Sequence, residues 1–440
     1  MDFRAKICYT IIKECQWILE ESMKRITVNG FEVCLLPDNR FKTATFIVYI
    51  RTPLNEKTAA LGAVLPAVLT RGCEKYPETK DLNICLEELY GASCSFNISK
   101  QGAYQVLALR FKTVADKYAE NQAPFLKLIE LATEILFRPL IKDGAFRENY
   151  VEREKENLKI YLAGVVNDKR KYAAQRLIEE MCKGEEYSIS ENGTPESVDA
   201  VNAKNLYDFY LSLLDNADIS FYFAEQFDTC AVTKALENVL PLRAEKQRKI
   251  LLPVHVKQAE NVKYAEEKAP VTQGKLSMGF RSTITRTSPE FYAMMLFDAL
   301  FGASPYSKLF LNVREKLSLA YYASSRFISV KGILMVSSGI EFKNFDAAKN
   351  EILAQLDEMK KGNFTEDDIM AAKLDLTDAL NGVSDTGAGL ANFYASLSAI
   401  GINDTLESVI DGINKVTKDE ITAAANSITL DTIYFLKGEE

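Results

Sequence analysis

Two rhythms of apolar and polar positions run along the chain, and their order occurs twice. Thr43–Arg51 (TATFIVYIR) is a run of β-branched and aromatic residues, which predicts a strand. A short Thr/Pro loop then leads into an apolar helical stretch, Thr58–Thr70, that closes near Gly72. Further on, Lys275–Arg281 (KLSMGFR) leads through a Thr/Ser/Pro loop into FYAMMLFDALFG. That stretch predicts a second apolar helix, with Ser288 as N-cap, Pro289 at the first helical position and Gly302 at the C-terminal end.

The offset between the halves is constant. Arg51 and Arg281, Gly72 and Gly302, Ser95 and Ser325, and Gly102 and Gly332 are each 230 positions apart. Each half continues with a short helix, a strand pair turning near its last glycine, and a long amphipathic helix. The first reads LEELYGASCSFNISKQGAYQVLALRF then PFLKLIELATEILF; the second reads VREKLSLAYYASSRFISVKGILMVSSGI then FDAAKNEILAQLDEMKKG. Identities are few, so the matching order of elements carries the reading of an internal duplication. Strands and helices interleave with hairpin-like turns and not in strict βαβ alternation. The expected class is therefore α+β, two homologous domains of antiparallel-rich sheet with helices on one face. The charged stretch 243–272 reads as a linker, which puts the first domain at 1–242 and the second at 273–440.

Composition narrows the function. At 440 residues, with 47% apolar and 26% charged side chains, the chain has ample material for two cores. A net charge of -8 disfavours general binding to nucleic acid or to an anionic membrane surface. Charges at Lys13, Glu14, Glu20 and Glu21 interrupt the N-terminal apolar residues, so no secretory signal is expected. Nowhere do about eighteen apolar residues run uncharged, which predicts no transmembrane helix and a cytoplasmic protein. Of eight cysteines, Cys8, Cys15, Cys34, Cys73, Cys85 and Cys94 precede Cys182 and Cys230. None forms a Cys-x-x-Cys pair, and reduced thiols in or near cores are the expectation.

Three phrases in order resemble the M16 (insulinase, pitrilysin, mitochondrial processing peptidase) superfamily over roughly residues 25 to 435. They are GAVLPAVLTRGCEKYP followed by LEELYGASCSF; GTPESVDAVNAKNLYDFY (Gly193–Tyr210); and SPYSKLFLNVREKLSLAYYASS (Ser304–Ser325). The resemblance implies M16-type (LuxS/MPP-like) domains that form half of a clam-like chamber. Its inverted zinc motif needs two imidazoles one turn apart, a Glu between them and a second Glu downstream. Aligned on Gly72, the motif positions hold Ala63, Pro66 and Ala67, which neither bind zinc nor take a proton. The downstream ligand falls in Glu154–Ala163, with Tyr161 as the best-aligned position. The composition excludes a two-His site independently, because His255, in the linker, is the only histidine. No metal or other cofactor is expected on this chain.

The other half of the family's machinery is present in type. Arg314 and Tyr321 match the Arg/Tyr pair that, in peptidases of this kind, comes from the second domain and faces the metal. There the Tyr hydroxyl donates to the scissile carbonyl oxygen as charge develops, and the Arg holds the substrate backbone. On the residues alone, Arg314 also reads as a charge on an exposed helix and Tyr321 as a packed aromatic. A one-residue slip exchanges Tyr321 with Tyr322. The positions 230 earlier are Ile84 and Gly91, so the pair belongs to the second copy only. The resemblance thus implies a subunit that is no peptidase alone and acts in trans in a heterodimer with a zinc-bearing M16 chain. TRGCEKYPETKDLNICLEELYGASCS narrows it to the YfmF-type bacterial proteins, companions of a zinc-bearing YfmH-type chain and associated with 5-aminopentanol modification of elongation factor P. The substrate implied is a peptide or unfolded polypeptide. The alternative is a non-proteolytic peptide-binding or scaffolding protein of the same fold. Whether the chain forms a homodimer without its partner is left open by the residues.

Overall fold

The computed structural model describes residues 23–120, 123–224, 229–244 and 257–439. Cys8, Cys15, His255 and part of the linker reading lie outside the described residues. Two sheets organise the chain. The first contains β1 (Lys24–Val28), β2 (Phe31–Leu36), β3 (Thr43–Pro53), β4 (Ser93–Gln101), β5 (Tyr104–Val114) and β6 (Asp218–Ala224), in the order β1-β2-β6-β3-β5-β4. The second contains β7 (Lys263–Lys268), β8 (Gly274–Arg281), β9 (Ala320–Ile328), β10 (Ile333–Ile340) and β11 (Thr429–Lys437), in the order β9-β10-β8-β11-β7. Pairing is antiparallel except for β2 with β6 and β11 with β7. The hairpins β4–β5 and β9–β10 turn at Gly102 (φ 57) and Gly332 (φ 61), as the repeat predicts. A side chain at either position would be forced into the left-handed region.

The helices that matter below are α1 (Ala59–Leu69), α2 (Thr79–Glu88), α3 (Pro124–Phe137), α4 (Glu148–Val165), α5 (Lys169–Met181), α6 (Ala203–Asn216), α7 (Phe291–Asp298), α8 (Phe345–Lys360), α9 (Glu366–Val383) and α10 (Gly387–Ala399). α1, α3 and α8 fall where the apolar periodicity puts them. α7 begins two residues later than expected, with Glu290 at the N-cap. Ser288 instead closes the preceding turn, its Oγ accepting from the Thr285 amide at 2.9 Å.

β3 is buried on both faces, and the two faces meet different partners. Phe46, Val48 and Ile50 face the core of the first half, where the Phe46 ring stacks on Phe111 at 4.8 Å and on Phe223 at 5.0 Å. Ile47 and Tyr49 point the other way, against Leu390, Ala391 and Ala395 of α10, a helix of the second half. The second sheet mirrors this. Leu276, Met278 and Phe280 face Met294 and Phe297 of α7, while Tyr434 and Leu436 meet Ala173 and Leu177 of α5 from the first half. Each half thus supplies the helix that covers the outer face of the other's sheet. The sequence reading of helices on one face is correct for each half's own helices and incomplete for the sheet. A strand apolar at successive positions needs cover on both sides.

The linker reading 243–272 also changes, because Lys263–Lys268 is β7, an edge strand of the second sheet. Its sequence, KYAEEK, keeps no residue fully buried, so it lacks the apolar signature of an inner strand. Among the described residues no helix is long and apolar enough to cross a membrane.

Candidate functional site

The first candidate site is built on α1. All of its residues except Leu61 are buried, so the helix is a core element with no solvent face. Pro66 sits inside it and removes the N–H that would bond the Gly62 carbonyl. The Gln105 amide packs on the helix at Gly62, 2.1 Å from where a Cβ would start, so a side chain there would have to displace it. Gln105 itself ties the helix start to the 191 loop, donating from Nε2 to the Ala59 carbonyl at 2.8 Å and to the Glu191 carbonyl at 2.6 Å.

Ala63 and Ala67, one turn apart, form part of the wall of a cavity of about 300 Å³. β4 contributes Phe96, Asn97 and Ile98; α4 contributes Glu154, Asn157, Leu158 and Tyr161; Asn192 comes from the loop before α6. Among the described residues of this wall Glu154 is the single carboxylate, and it is buried. Arg71 pairs with its Oε1, and Asn157 Nδ2 donates to its Oε2 at 3.0 Å. Its charge is therefore already balanced and its oxygens are occupied.

The second candidate site lies where a π-helical segment, Leu309–Lys316, turns into β9. π-helical turns concentrate at functional sites because they displace side chains from the regular ladder. Ser318, at φ 49, reverses the chain. The register of β9 against β10 then slips between Ala320 and Tyr322, which makes Tyr321 the extra residue of a β-bulge. A bulge leaves its residue out of the ladder and re-aims its side chain. Tyr321 is 53% exposed. Its neighbour Tyr322 points into the structure: its ring occupies the space where a Gly339 side chain would start, 2.4 Å from that ideal Cβ. The Arg170 guanidinium sits 4.4 Å above the Tyr322 ring, and burial pushes the Tyr322 hydroxyl pKa up.

Arg314 and Tyr321 line one cleft of about 360 Å³, together with Glu315, Ser318, Leu319, Ala320, Glu341 and Asn344. The Arg314 guanidinium rests 4.7 Å from the Phe310 ring centroid, and its Nε is 3.4 Å from Glu315 Oε1. Both side chains of that ion pair are largely exposed, so it restrains Arg314 weakly. The equivalent positions in the first half, Ile84 on α2 and Gly91 in the turn before β4, offer no donor pair.

A family model described as the Peptidase M16 inactive domain matches residues 200–376. The chain is 37% identical over 412 residues to the "Probable inactive metalloprotease YmfF" of Bacillus subtilis (strain 168), covering 93% of this chain and 96% of that protein. The chain belongs to the M16 peptidase family. The relative found, YmfF, stands where the sequence phrases suggested a YfmF-type subgroup. Among solved structures, a conserved protein from Enterococcus faecalis V583 superposes with a TM-score of 0.86 at 28% identity, covering 95% of this chain and 99% of that one. The peptidase M16 inactive domain from Pseudomonas fluorescens gives a TM-score of 0.74 at 16% identity, over 95% and 98% of the two chains.

Active M16 peptidases hold zinc, and the residues here do not fit it. Ala63, Pro66 and Ala67 offer no ligand atom, and Glu154 is committed to Arg71 and Asn157. Among the described residues no group of three His, Cys, Asp or Glu side chains is placed to hold a metal ion. In this M16 chain Tyr161 does line the cavity, as the alignment placed it, but the carboxylate of the wall is Glu154, two turns earlier on α4. The spacing Glu154, Leu158, Tyr161 marks one helical face and was the available signal for it. The Arg71–Glu154 pair joins positions 83 apart and had no signal in spacing.

Proposed function

We propose that this chain is the non-zinc-binding subunit of a heterodimeric, M16-type metallopeptidase-like complex in the cytoplasm. It presents Arg314 and Tyr321 to a peptide held against a zinc-bearing M16 partner of the YfmH type. One observation carries the reading. The bulge places Tyr321 in the wall of the cleft that Arg314 also lines, in a chain whose own metal motif is reduced to methyl groups and a proline. A phenol donates one hydrogen bond and a guanidinium five, which suits them to a carbonyl oxygen gaining charge and to backbone carbonyls beside it. Through the same resemblance we place the complex in 5-aminopentanol modification of elongation factor P.

The test is to purify the chain with the zinc-bearing M16 chain and to measure peptide cleavage. Tyr321→Phe is expected to lower turnover by about 10²-fold, the loss typical of one removed oxyanion donor, with the complex intact by size-exclusion chromatography. Arg314→Ala is expected to act mainly on KM. Unchanged turnover in both variants sinks catalysis in trans. The translational link is tested separately, by the intact mass of elongation factor P from a strain lacking this chain; an unaltered modification pattern removes it.

A second reading, a peptide-holding scaffold without hydrolysis, is favoured by the edge strand β4. Among the described residues β4 pairs only with β5, and its residues Phe96, Asn97 and Ile98 line the α1 cavity. An edge strand of nine residues can take an extended peptide by main-chain hydrogen bonds.

A further inference from the structure

The seam between the halves carries two cations without a counter-charge. Lys275 on β8 and Tyr322 on β9 both lie opposite Gly339 of β10, so the three form one row across the second sheet. With no side chain at Gly339, the Tyr322 ring takes the space above it. That ring gathers both charges: the Arg170 guanidinium of α5 is 4.4 Å from its centroid and the Lys275 ammonium 5.8 Å. The hydrogen bonds of the two cations go to neutral acceptors. Arg170 Nη2 donates to Ser324 Oγ at 3.0 Å, and Lys275 Nζ donates to Gln273 Oε1 at 3.3 Å. Neither makes an ion pair with another described residue. Asp168, two residues before Arg170, is engaged at its own helix end: Oδ1 accepts from the Lys171 amide at 3.1 Å, and Oδ2 is 3.5 Å from the Lys171 ammonium. Burial, with the Arg170 guanidinium beside it, holds the Lys275 pKa below its usual value. Two like charges held together, in a chain of net charge -8, cost electrostatic free energy that a bound anion would recover.

We propose that Arg170 and Lys275, set around the Tyr322 ring, form a binding site for one dianionic phosphate group. Charge selects the ligand: two cations balance a phosphate at neutral pH, whereas a carboxylate would leave one of them unanswered. The guanidinium offers its remaining N–H donors as a planar fork, and the ammonium adds a point charge. Arg170 is exposed and Lys275 half-buried, so the pair is reached from solvent while one of its charges is partly shielded from it. α5 comes from the first half, and β8 and β9 from the second. An anion held by both cations therefore ties the two halves together, and it does so independently of any peptide in the Tyr321 cleft.

The experiment is a titration of the full chain with inorganic phosphate at about pH 7.5, where the ion is mainly a dianion, followed by phosphorus NMR line broadening at constant ionic strength in sodium chloride. Saturable broadening is expected. Arg170→Gln and Lys275→Gln are each expected to weaken binding at least about tenfold, the loss of one charge-assisted hydrogen bond, and Arg170→Lys less than Arg170→Gln. Lys361→Gln, which removes an exposed charge after α8, is expected to bind as wild type does. Acetate at the same concentration should not displace phosphate. Displacement by a capped phosphoserine peptide shows that the site also takes the group on a polypeptide, and its failure confines the ligand to the free ion. Without phosphate, Lys275→Gln is expected to melt no lower than wild type, because it relieves the repulsion from Arg170, so lost binding is not lost folding. No saturable broadening, unchanged affinity in Arg170→Gln and Lys275→Gln, or equal competition by acetate overturns the site.

Discussion

Arg51, near the end of β3, and Arg281, at the end of β8, hold equivalent places in the two halves, and each ties its sheet to a helix from the opposite half. Arg51 Nη1 meets Asp218 Oδ2 on β6 at 3.2 Å, and its Nη2 donates to the Ala395 carbonyl of α10 at 3.1 Å. Arg281 Nε meets Asp431 Oδ2 on β11 at 2.8 Å, and its Nη2 donates to the Met181 carbonyl of α5 at 3.0 Å. Both guanidinium groups are buried. The differences lie in the remaining partners. The first node uses neutral Ser220, at 2.9 Å, whereas the second adds Glu185, bonded to Arg281 at 2.8 Å and to buried Lys331 at 2.8 Å. The duplicated arginine therefore serves the joint between halves, and this joint is kept in both copies. The reactive positions are not: the first half has methyl groups at its motif, and the second alone has Arg314 and Tyr321. The framework repeats, and the chemistry does not.

The largest effect expected from breaking this parallel is at Arg281. Arg281→Ala leaves Glu185 and Asp431 buried with reduced compensation, and is expected to cost about 3–5 kcal/mol in urea denaturation. Arg51→Ala is expected to cost less, about 2–3 kcal/mol, because Asp218 retains 18% exposure and Ser220 carries no charge. Equal losses would show that the extra ion pairs of the second node add nothing.

Glu185 gives the next effect and has a pH signature. Burial alone would raise its carboxyl pKa, but the Lys331 ammonium and the Arg281 guanidinium outweigh burial and hold it below the usual 4.5. A depressed folded pKa contributes stability that is fully present above about pH 4.5 and is lost as pH falls through the folded value. Glu185→Gln is expected to cost about 2 kcal/mol at neutral pH, and the gap to wild type should narrow below pH 4.5. A gap that stays constant from pH 7 to pH 3.5 would falsify the ionic role.

Legibility followed burial and locality. β3, α1, α3 and α8 were readable because each carries its apolar period over its whole length, and the hairpin turns because Gly102 and Gly332 mark them. β7 was not, since an exposed edge strand of Lys and Glu has no period to show. The exchange of α5 and α10 between halves was invisible as well, although the unbroken apolar run of β3 already required a second cover. At the candidate site, Ala63, Pro66 and Ala67 were identified by alignment, while the Arg71–Glu154 pair needed the fold. Sequence left Tyr321 and Tyr322 interchangeable, and only the register slip at Ala320 separates the bulged, exposed ring from the packed one.

Both halves distort the apolar helix that follows the equivalent strands β3 and β8, and they do so by different means. α1 contains Pro66, whereas α7 runs into a π-helical turn, Ala299–Ala303. Pro66→Ala restores the missing N–H and is expected to stabilise the chain by about 1–2 kcal/mol, part of the cost of an interior proline having been relaxed already. A loss of stability on this substitution would mean that the proline ring fills space an alanine leaves empty.

The smallest effect on stability is expected at the residues assigned the most chemistry. Tyr321 is exposed on a bulge, and among the described residues Arg314 has one ion-pair partner, its solvent-exposed neighbour Glu315. Neither is part of a core, so Tyr321→Phe and Arg314→Ala should each change the unfolding free energy by no more than about 0.5 kcal/mol. Tyr322→Ala, by contrast, empties the space under Arg170 and beside Gly339 and should be several times more costly. The two neighbouring tyrosines therefore repeat, within one strand, the contrast between Arg281 and the cleft: one holds the structure and the other is free to act on something outside it. If Tyr321→Phe proved as destabilising as Tyr322→Ala, the exposed ring would be a structural element and the cleft would lose its donor.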